Sequence, residues 1–153
     1  MSPQSAATAS SLAQLYEQDY ALWLAATCQR LQDGRLVDLD IPNLLEELED
    51  MGRSEKRALI SNLLVVLMHL LKYAHQPDQR SNSWRFTLKE HRRRLQAALK
   101  TSPSLRPYFD QEFEECYQEA RDLAATETGL SLETFPPICP FSPEQVLDRE
   151  YLP

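Results

Sequence analysis

Apolar residues recur at every third or fourth position along most of this chain, which is the period of an amphipathic α-helix. The longest such run extends from Asp40 to His75. Its periodic apolar stripe comprises Leu44, Leu45, Leu48, Met51, Leu59, Leu63, Val66, Leu67, Leu70 and Leu71. Glycine, which β-hairpins commonly require, occurs only three times in 153 residues. We therefore expect an all-α protein with no strand.

Capping signals divide the predicted helical chain into four long helices. Gly34 suits the left-handed residue that follows a helix, and Asp40 suits the residue that caps the start of the next one. Gly52 weakens the second helix, so we expect a kink or a break there. The expected bounds are about Ser11–Asp33, Asp40–His75, Ser83–Lys100 and, for the fourth helix, Ser102–Gly129.

The segment that follows Gly129 contains five prolines and is expected to be mostly extended. Within it, Ser142 and Gln145 have the spacing of a capping box, which predicts one short helix. Its apolar residues are Leu130, Leu132, Phe135, Ile138, Phe141, Val146 and Leu147. This apolar content predicts a Pro-rich strap that packs over the helices.

Long amphipathic helices joined by short loops pack as antiparallel neighbours. The fold we expect is therefore an up-and-down four-helix bundle with a long second helix and the C-terminal strap. Residues 1–10 are expected to form a disordered leader, and residues 11–153 are expected to form a single helical domain.

Composition narrows the class of protein. Apolar residues make up 42% of the chain and charged residues 25%, as in soluble globular proteins. The net charge of -7 argues against nucleic-acid binding as a default. The longest uninterrupted apolar run, LLVVLM, is far shorter than the ~20 residues of a membrane span, so we expect no membrane partner.

Location is predicted from cysteine usage and from the N-terminus. Cys28, Cys116 and Cys139 form no CxxC pair and are odd in number, which indicates reduced thiols in the cytoplasm. The first residues contain no basic region followed by an apolar one, so we expect no signal peptide.

Several polar residues fall on the apolar faces of the predicted helices. Glu55, Asn62 and His69 are seven positions apart on the second helix, Asp19 lies on the first, and His91 lies on the third. Two interpretations compete: a buried polar network that fixes the helix register, or a metal or catalytic site in a bundle core. We favour the network, because neither a repeated Glu-x-x-His nor a His-x-x-x-His is present.

Charged residues cluster in three places. Glu46, Glu47, Glu49 and Asp50 precede the basic residues of the MGRSEKR block, which indicates a solvated face with a Glu49–Arg53 pair and, as an alternative, a cation site. A basic run from Arg80 to Arg106 is followed by an acidic run from Asp110 to Glu133. The candidate phosphate or nucleic-acid contacts are Arg85, Lys89, Arg92, Arg93 and Arg94. We favour the interpretation in which the basic and acidic helices lie antiparallel and neutralise each other.

Five blocks of sequence together resemble a known family. They are NLLEELEDMGRSEKRAL, LLVVLMHLLKYAHQPDQRSNSWRFTLKEHRRRL, SPSLR, ETGL and FPPICPFSPEQVLD. The chain resembles the bacterial domain-of-unknown-function family twenty-nine from about Tyr16 to Asp148. The resemblance implies an all-helical bacterial cytoplasmic protein and implies no activity.

The resemblance also singles out particular positions. The family motif includes Glu46, Glu47, Glu49, Met51–Arg57, His69, Gln76-Pro77, Arg80, Ser83-Trp84 and the SPSLR block. The chain departs from the pattern at Tyr73-Ala74-His75 and at His91, where another polar residue is expected. The second departure weakens a metal site that would require His91.

We predict a non-enzymatic helical interaction module, either self-associating or bound to a protein partner, with no cofactor and no metal. The first alternative is an enzyme or metal-dependent regulatory domain. Its candidate residues are Asp19, Glu46, Glu47, Arg53, Asn62, His69 and Arg80. The second alternative is a nucleic-acid-binding protein that uses the basic helix within residues 80–106.

Overall fold

A computed structural model of the chain describes residues 12–153, and this range contains helices and no strand. The helices are α1 (12–18), α2 (Tyr20–Gln32), α3 (Ile41–His75), α4 (Asn82–Thr101), α5 (Arg106–Thr128) and α6 (Pro143–Leu147). Short 3₁₀ turns lie at Leu36–Asp38, Pro77–Gln79, Pro103–Leu105 and Leu132–Thr134. The predicted all-α class is confirmed for the described residues. The up-and-down four-helix arrangement stays a prediction, and the predicted leader, residues 1–10, lies outside the described range.

The chain divides into two compact units, Met1–Arg53 and Ser54–Pro153. The boundary falls inside α3, which is helical from Ile41 to His75 and is not interrupted at Gly52. Of the kink or break that we expected at Gly52, the break is therefore absent, and the kink stays a prediction. The prediction of a single domain over 11–153 stays a prediction.

The N-terminal unit differs from the sequence prediction at Asp19. One helix was expected from Ser11 to Asp33, whereas α1 ends before Asp19 and α2 begins after it. Asp19 has a non-helical backbone, with φ -151° and ψ 88°, and its carboxylate accepts a hydrogen bond from the backbone N–H of Leu22 at 3.0 Å. Its side chain therefore caps α2 and is exposed, and the inward position that we expected is wrong.

An aromatic cluster occupies the inside of the N-terminal unit. Trp23 is fully buried, with the ring of Tyr16 4.9 Å away edge-on and the ring of Tyr20 stacked at 5.9 Å. The indole N–H of Trp23 donates to Asp40 Oδ2 at 3.2 Å, and the side-chain amide of Asn43 donates to the same oxygen at 2.7 Å. These bonds satisfy the buried Asp40 carboxylate at the start of α3.

The C-terminal unit has one hydrophobic core. Residues of α3, α4, α5 and the segment after Gly129 share it, including the fully buried Leu67, Leu95, Phe109 and Val146. The predicted strap is present, because Phe135, Phe141 and Val146 are all buried in this core. Leu130, Leu132 and Ile138 are exceptions, with 36%, 37% and 76% of their surfaces exposed.

The sequence features that we predicted to end or begin helices are confirmed at Gly34, Gly129 and Ser142. Gly34 and Gly129 have φ of 69° and 71°, the left-handed conformation that glycine adopts without steric cost. Ser142 and Gln145 form the predicted capping box at the start of α6.

Among the described helices, α3 is long and apolar enough to cross a membrane by length and composition alone, with a mean hydropathy of 1.4 over 18 residues. This is weak evidence, because the core helix of a soluble protein passes the same test. The fully buried Leu63, Val66 and Leu67 belong to the core of the C-terminal unit.

Candidate functional site

The first turns of α3 carry an apolar stripe that is largely exposed among the described residues. We call it the leucine face and define it as Ile41, Leu44, Leu45, Leu48, Met51 and Gly52. Ile41, Leu45, Leu48 and Met51 are exposed to 55%, 53%, 57% and 63%. A helical stripe of this kind normally lies against a core. The predicted stripe is therefore real, but the described part of the chain does not cover it.

Two tyrosines explain why α3 presents this face outward. The hydroxyls of Tyr16 and Tyr20 donate to the two carboxylate oxygens of Glu47 at 2.7 and 2.6 Å. Glu47 lies about 100° around the helix from Leu48, since successive residues turn by that angle. The bonds to Glu47 hold its side of α3 against the tyrosines and leave Ile41, Leu45, Leu48 and Gly52 turned away, whereas Leu44 and Met51 lie within about 60° of Glu47 around the helix.

These hydrogen bonds also change the acidity of the three groups. The bond to the charged Glu47 raises the pKa of Tyr16 to about 12 and raises the pKa of Tyr20 as well. In return, the two phenol donors lower the pKa of Glu47. Glu47 is therefore a stable carboxylate with both oxygens engaged, which does not suit a general acid.

Gly52 lies in line with Ile41, Leu45 and Leu48, at spacings of four, three and four residues. A Cβ built on Gly52 would meet no atom within 4 Å, and the backbone of Gly52 is ordinary right-handed helix. A glycine inside a helix costs about 1 kcal/mol relative to alanine. Nothing in the packing of residues 12–153 accounts for this glycine.

The other candidates of the acidic cluster form surface ion pairs. Arg53 contacts Glu46 at 3.0 Å, Asp50 at 3.6 Å and Glu49 at 3.9 Å, and all four side chains are about half exposed. The expected Glu49–Arg53 pair is thus present and is the longest of the three. Asp19 is engaged in capping α2, so these residues do not converge on one point.

In the C-terminal unit, the polar residues on apolar faces form one link between helices. His91 of α4 donates from Nδ1 to Asn62 Oδ1 at 2.8 Å, and the Asn62 amide donates to the carbonyl of Ala58 at 2.8 Å. His69 instead donates from Nδ1 to the carbonyl of Val65, one turn earlier in its own helix. Burial lowers the pKa of both histidines. One hydrogen bond, between Asn62 and His91, therefore joins α3 to α4.

A polar cleft that sequence reasoning missed lies beside His69 on α3. Lys72 is almost fully buried, with its ammonium 3.2 Å from Glu127 Oε1 and 4.6 Å from the centre of the Trp84 ring. The cleft has a volume of about 370 Å³, and Gln76, Gln79 and Thr128 complete its lining. The sequence feature that could have indicated this cleft is Lys72, which lies between Leu71 and Tyr73 within the apolar stripe of α3. Since the ion pair cancels its charge, the cleft has no preferred sign of ligand.

Arg80, a candidate of the enzymatic alternative, has a structural partner. Its guanidinium lies 4.4 Å from the centre of the Tyr73 ring, and its Nε donates to the carbonyl of Tyr73 at 2.8 Å. It therefore fastens the loop after α3 to the end of that helix.

The five basic candidates of α4 divide into three kinds. Arg92 is buried and donates to the carbonyls of Val146, Tyr151 and Gln145. Arg93 and Arg94 both contact Glu90 within their own helix, and these bonds lower the pKa of Glu90 to about 2. Arg85 and Lys89 have no ion pair or side-chain hydrogen bond within residues 12–153.

The helix α4 also has no ion pair with the acidic α5 in that range. The expected neutralisation between the two helices is therefore wrong.

Arg85, Lys89 and Arg92 lie around a second cleft, of about 170 Å³, which Arg149 and Glu150 complete. In the part of the chain that the structure describes, no three His, Cys, Asp or Glu side chains are grouped so that they could hold a metal ion.

The family described as "Domain of unknown function DUF29" matches residues 15–152, which is nearly the whole chain. The chain belongs to the DUF29 family. No curated protein and no solved structure matches it significantly.

In this DUF29 chain, several positions of the family motif meet in the structure. Gln76 and Trp84 both line the cleft around Lys72, and Arg80 stacks on Tyr73 close by in sequence. Glu46, Glu47 and Met51 belong to the helical turns that also carry the leucine face. The recognised family is confirmed, and it assigns no activity to either group.

Proposed function

We propose that this DUF29 protein is a non-enzymatic interaction module that self-associates through the leucine face of α3. The observation that carries the proposal is the exposure of Leu45, Leu48 and Met51, each above one half, on one side of a helix whose other contacts are satisfied. Apolar side chains grouped in this way mark interaction sites more often than they mark ordinary surface.

The area of the face suits a dimer. Ile41, Leu45, Leu48 and Met51 together present roughly 400 Å² of exposed surface, whereas a standard interface buries ~800 Å² per partner, of which a little over half is apolar. The leucine face therefore supplies roughly the apolar area of one side of a standard interface, and the charged residues beside it supply a polar rim.

Gly52 supports a second helix as the occupant. A glycine on an exposed helical face allows another backbone or a large side chain to approach closely, which is a reason to keep a residue that otherwise weakens the helix. In an antiparallel pair with its two-fold axis near Leu48, Leu45 of the second copy lies opposite Gly52. A leucine then fills the space that the missing side chain leaves.

A second copy of the chain is favoured over an unrelated partner, because the fit of Leu45 against Gly52 is self-complementary. The same helix contains both the leucine and the glycine, at positions related by one two-fold axis, as the symmetric interface of a homodimer requires. A partner of different sequence is an alternative outcome of the experiment.

The experiment is sedimentation velocity on the untagged full chain from low to high micromolar concentration. We expect a monomer–dimer equilibrium that Leu48→Glu abolishes, because a carboxylate would be buried at the two-fold axis. The matched control is Ile138→Glu, which places the same charge at an apolar residue that is also exposed, in the strap. This control should dimerise like the parent chain.

Two results would contradict the proposal. A chain that stays monomeric at every concentration has no self-association to explain. A dimer that persists in Leu48→Glu forms through another surface, and the leucine face then has a different role. A photo-crosslinker placed at Leu45 in living cells separates the occupants, since a self-adduct has twice the mass of the chain.

A further inference from the structure

The cleft beside α4 concentrates positive charge in a protein that is acidic as a whole. Arg85, Leu88, Lys89 and Arg92 follow one another at spacings of three, one and three residues, which places them on one side of the helix. Arg149 and Glu150, from the segment after α6, close the cleft, whose volume is about 170 Å³. Leu152 completes the lining, and we call these seven residues the basic cleft. Four cations and one carboxylate line it in a chain of net charge -7.

Two of these cations are positioned by neutral groups. The Nε and both terminal nitrogens of Arg92 donate to backbone carbonyls at 2.9, 2.8 and 3.2 Å. Arg149 donates from Nε to the side-chain carbonyl of Gln96 at 2.6 Å. Carbonyl oxygens fix the orientation of a guanidinium without cancelling its charge, so both positive charges remain available to the cleft.

The other two cations repel each other. Arg85 and Lys89 are one helical turn apart, an arrangement that destabilises a helix by a few tenths of a kcal/mol. Neither forms an ion pair or a side-chain hydrogen bond within the described range. Their neighbours Arg93 and Arg94, by contrast, are both neutralised by Glu90. The carboxylates of Asp148 and Glu150 are close enough to act on Arg92 and offset part of the charge.

We propose that the basic cleft binds a small phosphate-type anion: inorganic phosphate or the terminal phosphate of a small phosphomonoester. Arginine and lysine are the side chains that bind phosphate oxygens most strongly, through charge-assisted hydrogen bonds. Arg92 still has two unused N–H donors of its five, and Arg149 is held in place beside it. The volume suits a single tetrahedral group and is below that of pockets for drug-sized ligands.

This inference is independent of the proposed self-association, since the leucine face belongs to the other compact unit of the chain. If the test of one proposal fails, the other proposal is unaffected.

The test is calorimetric titration of the full chain with inorganic phosphate, and separately with a small phosphomonoester, glycerol 3-phosphate, at low ionic strength. The variant is Arg85→Gln with Lys89→Gln, two exposed positions where the fold does not depend on the side chain. The matched control is Arg93→Gln with Lys100→Gln, which removes the same charge from exposed positions of the same helix outside the cleft. Thermal unfolding of both double variants verifies that they are folded.

We expect saturable binding of one phosphate per chain, weakened at least ~tenfold in the cleft variant and less than ~twofold in the control. Equal weakening in both double variants would mean that overall charge, not the cleft, attracts the anion, and would overturn the inference. So would the absence of saturable binding of either probe. A short DNA duplex forms the third arm: binding of the duplex but not of phosphate would assign α4 to a nucleic-acid surface and also overturn the inference.

Discussion

The guanidinium of Arg92 lies 2.9 Å from the backbone carbonyl oxygen of Val146, which follows it by 54 positions in the chain. Two more carbonyls of the same segment, those of Gln145 and Tyr151, accept hydrogen bonds from Arg92. One buried side chain therefore satisfies three carbonyls where α6 ends and the last segment begins.

Replacing Arg92 with leucine should destabilise the protein by about 3–5 kcal/mol, because buried carbonyl groups lose charged donors. Urea unfolding measures the loss, and limited proteolysis should show earlier cleavage after Phe141. Arg93→Leu is the control, since Arg93 is exposed and contacts only Glu90, so we expect a change below ~1 kcal/mol. Equal effects of the two substitutions would show that Arg92 does not fasten the segment.

Local features of the fold could be predicted from the sequence because their causes lie within a few residues. The Ser142–Gln145 capping box and the left-handed Gly34 and Gly129 are of this kind, and each is present. The break at Asp19 was missed because the apolar period continues across it, so that the pattern of one helix and of two helices is the same.

Long-range features could not be predicted from periodicity. The spacing of apolar residues shows which of them share a helix face, but it does not show what covers that face. The sequence therefore placed Leu45 and Leu48 in an apolar stripe and gave no indication that the stripe is exposed. Arg92 looked like its neighbours Arg93 and Arg94, since only the folded chain brings the carbonyl of Val146 to its side chain. Glu47 is likewise bonded to Tyr16 and Tyr20, 31 and 27 positions earlier, and the period of α3 gives no sign of these partners.

Gly52→Ala should have opposite effects on the monomer and on the proposed dimer. In the monomer the added methyl group meets no atom within 4 Å, so helix propensity alone should stabilise the fold by about 0.5–1 kcal/mol. In the dimer the methyl group occupies the space proposed for the leucine of the second copy, so dissociation should become easier.

Sedimentation measures the dissociation constant, and urea unfolding measures monomer stability. Placing Gly52→Ala in the Leu48→Glu background isolates the effect on the monomer. If Gly52→Ala strengthens association, the helices do not approach closely at this glycine, and the antiparallel register near Leu48 is wrong.

The protein should lose stability as the pH falls through the range in which unfolded histidine is protonated. Burial is the largest cause of the lowered pKa of His69, followed by its hydrogen bond to Val65, which acts in the opposite sense. Lys72 and His91 lower the pKa of His69 further, and Glu127 raises it. The folded state therefore binds this proton less readily than the unfolded state, whose histidine pKa is about 6.5.

By linkage, the stability that His69 contributes is fully present above pH ~6.5 and declines below it. Urea unfolding between pH ~5 and ~8 measures the slope. The double variant His69→Gln with His91→Gln should have a flatter profile, since the pKa of His91 is lowered by burial too. An unchanged slope in that variant would attribute the pH dependence to other groups.

Replacing Glu47 with glutamine should make Tyr16 easier to ionise. The hydrogen bond to the Glu47 carboxylate is the largest cause that raises the pKa of Tyr16 to about 12, and a neutral amide accepts the same bond without opposing the phenolate charge. In the parent chain, stability from this bond is present below the unfolded tyrosine pKa of about 10 and is lost as the pH rises above it. Ultraviolet titration of the phenolate band should therefore show two tyrosines, Tyr16 and Tyr20, ionising closer to their ordinary pKa in Glu47→Gln. Glu46→Gln is the matched control, because Glu46 pairs with Arg53 and acts on Tyr16 only through its charge, a smaller cause than the Glu47 bond, so it should shift the titration much less. If both variants titrate like the parent chain, the two tyrosines do not hold Glu47 in solution, and the outward orientation of the leucine face loses its explanation.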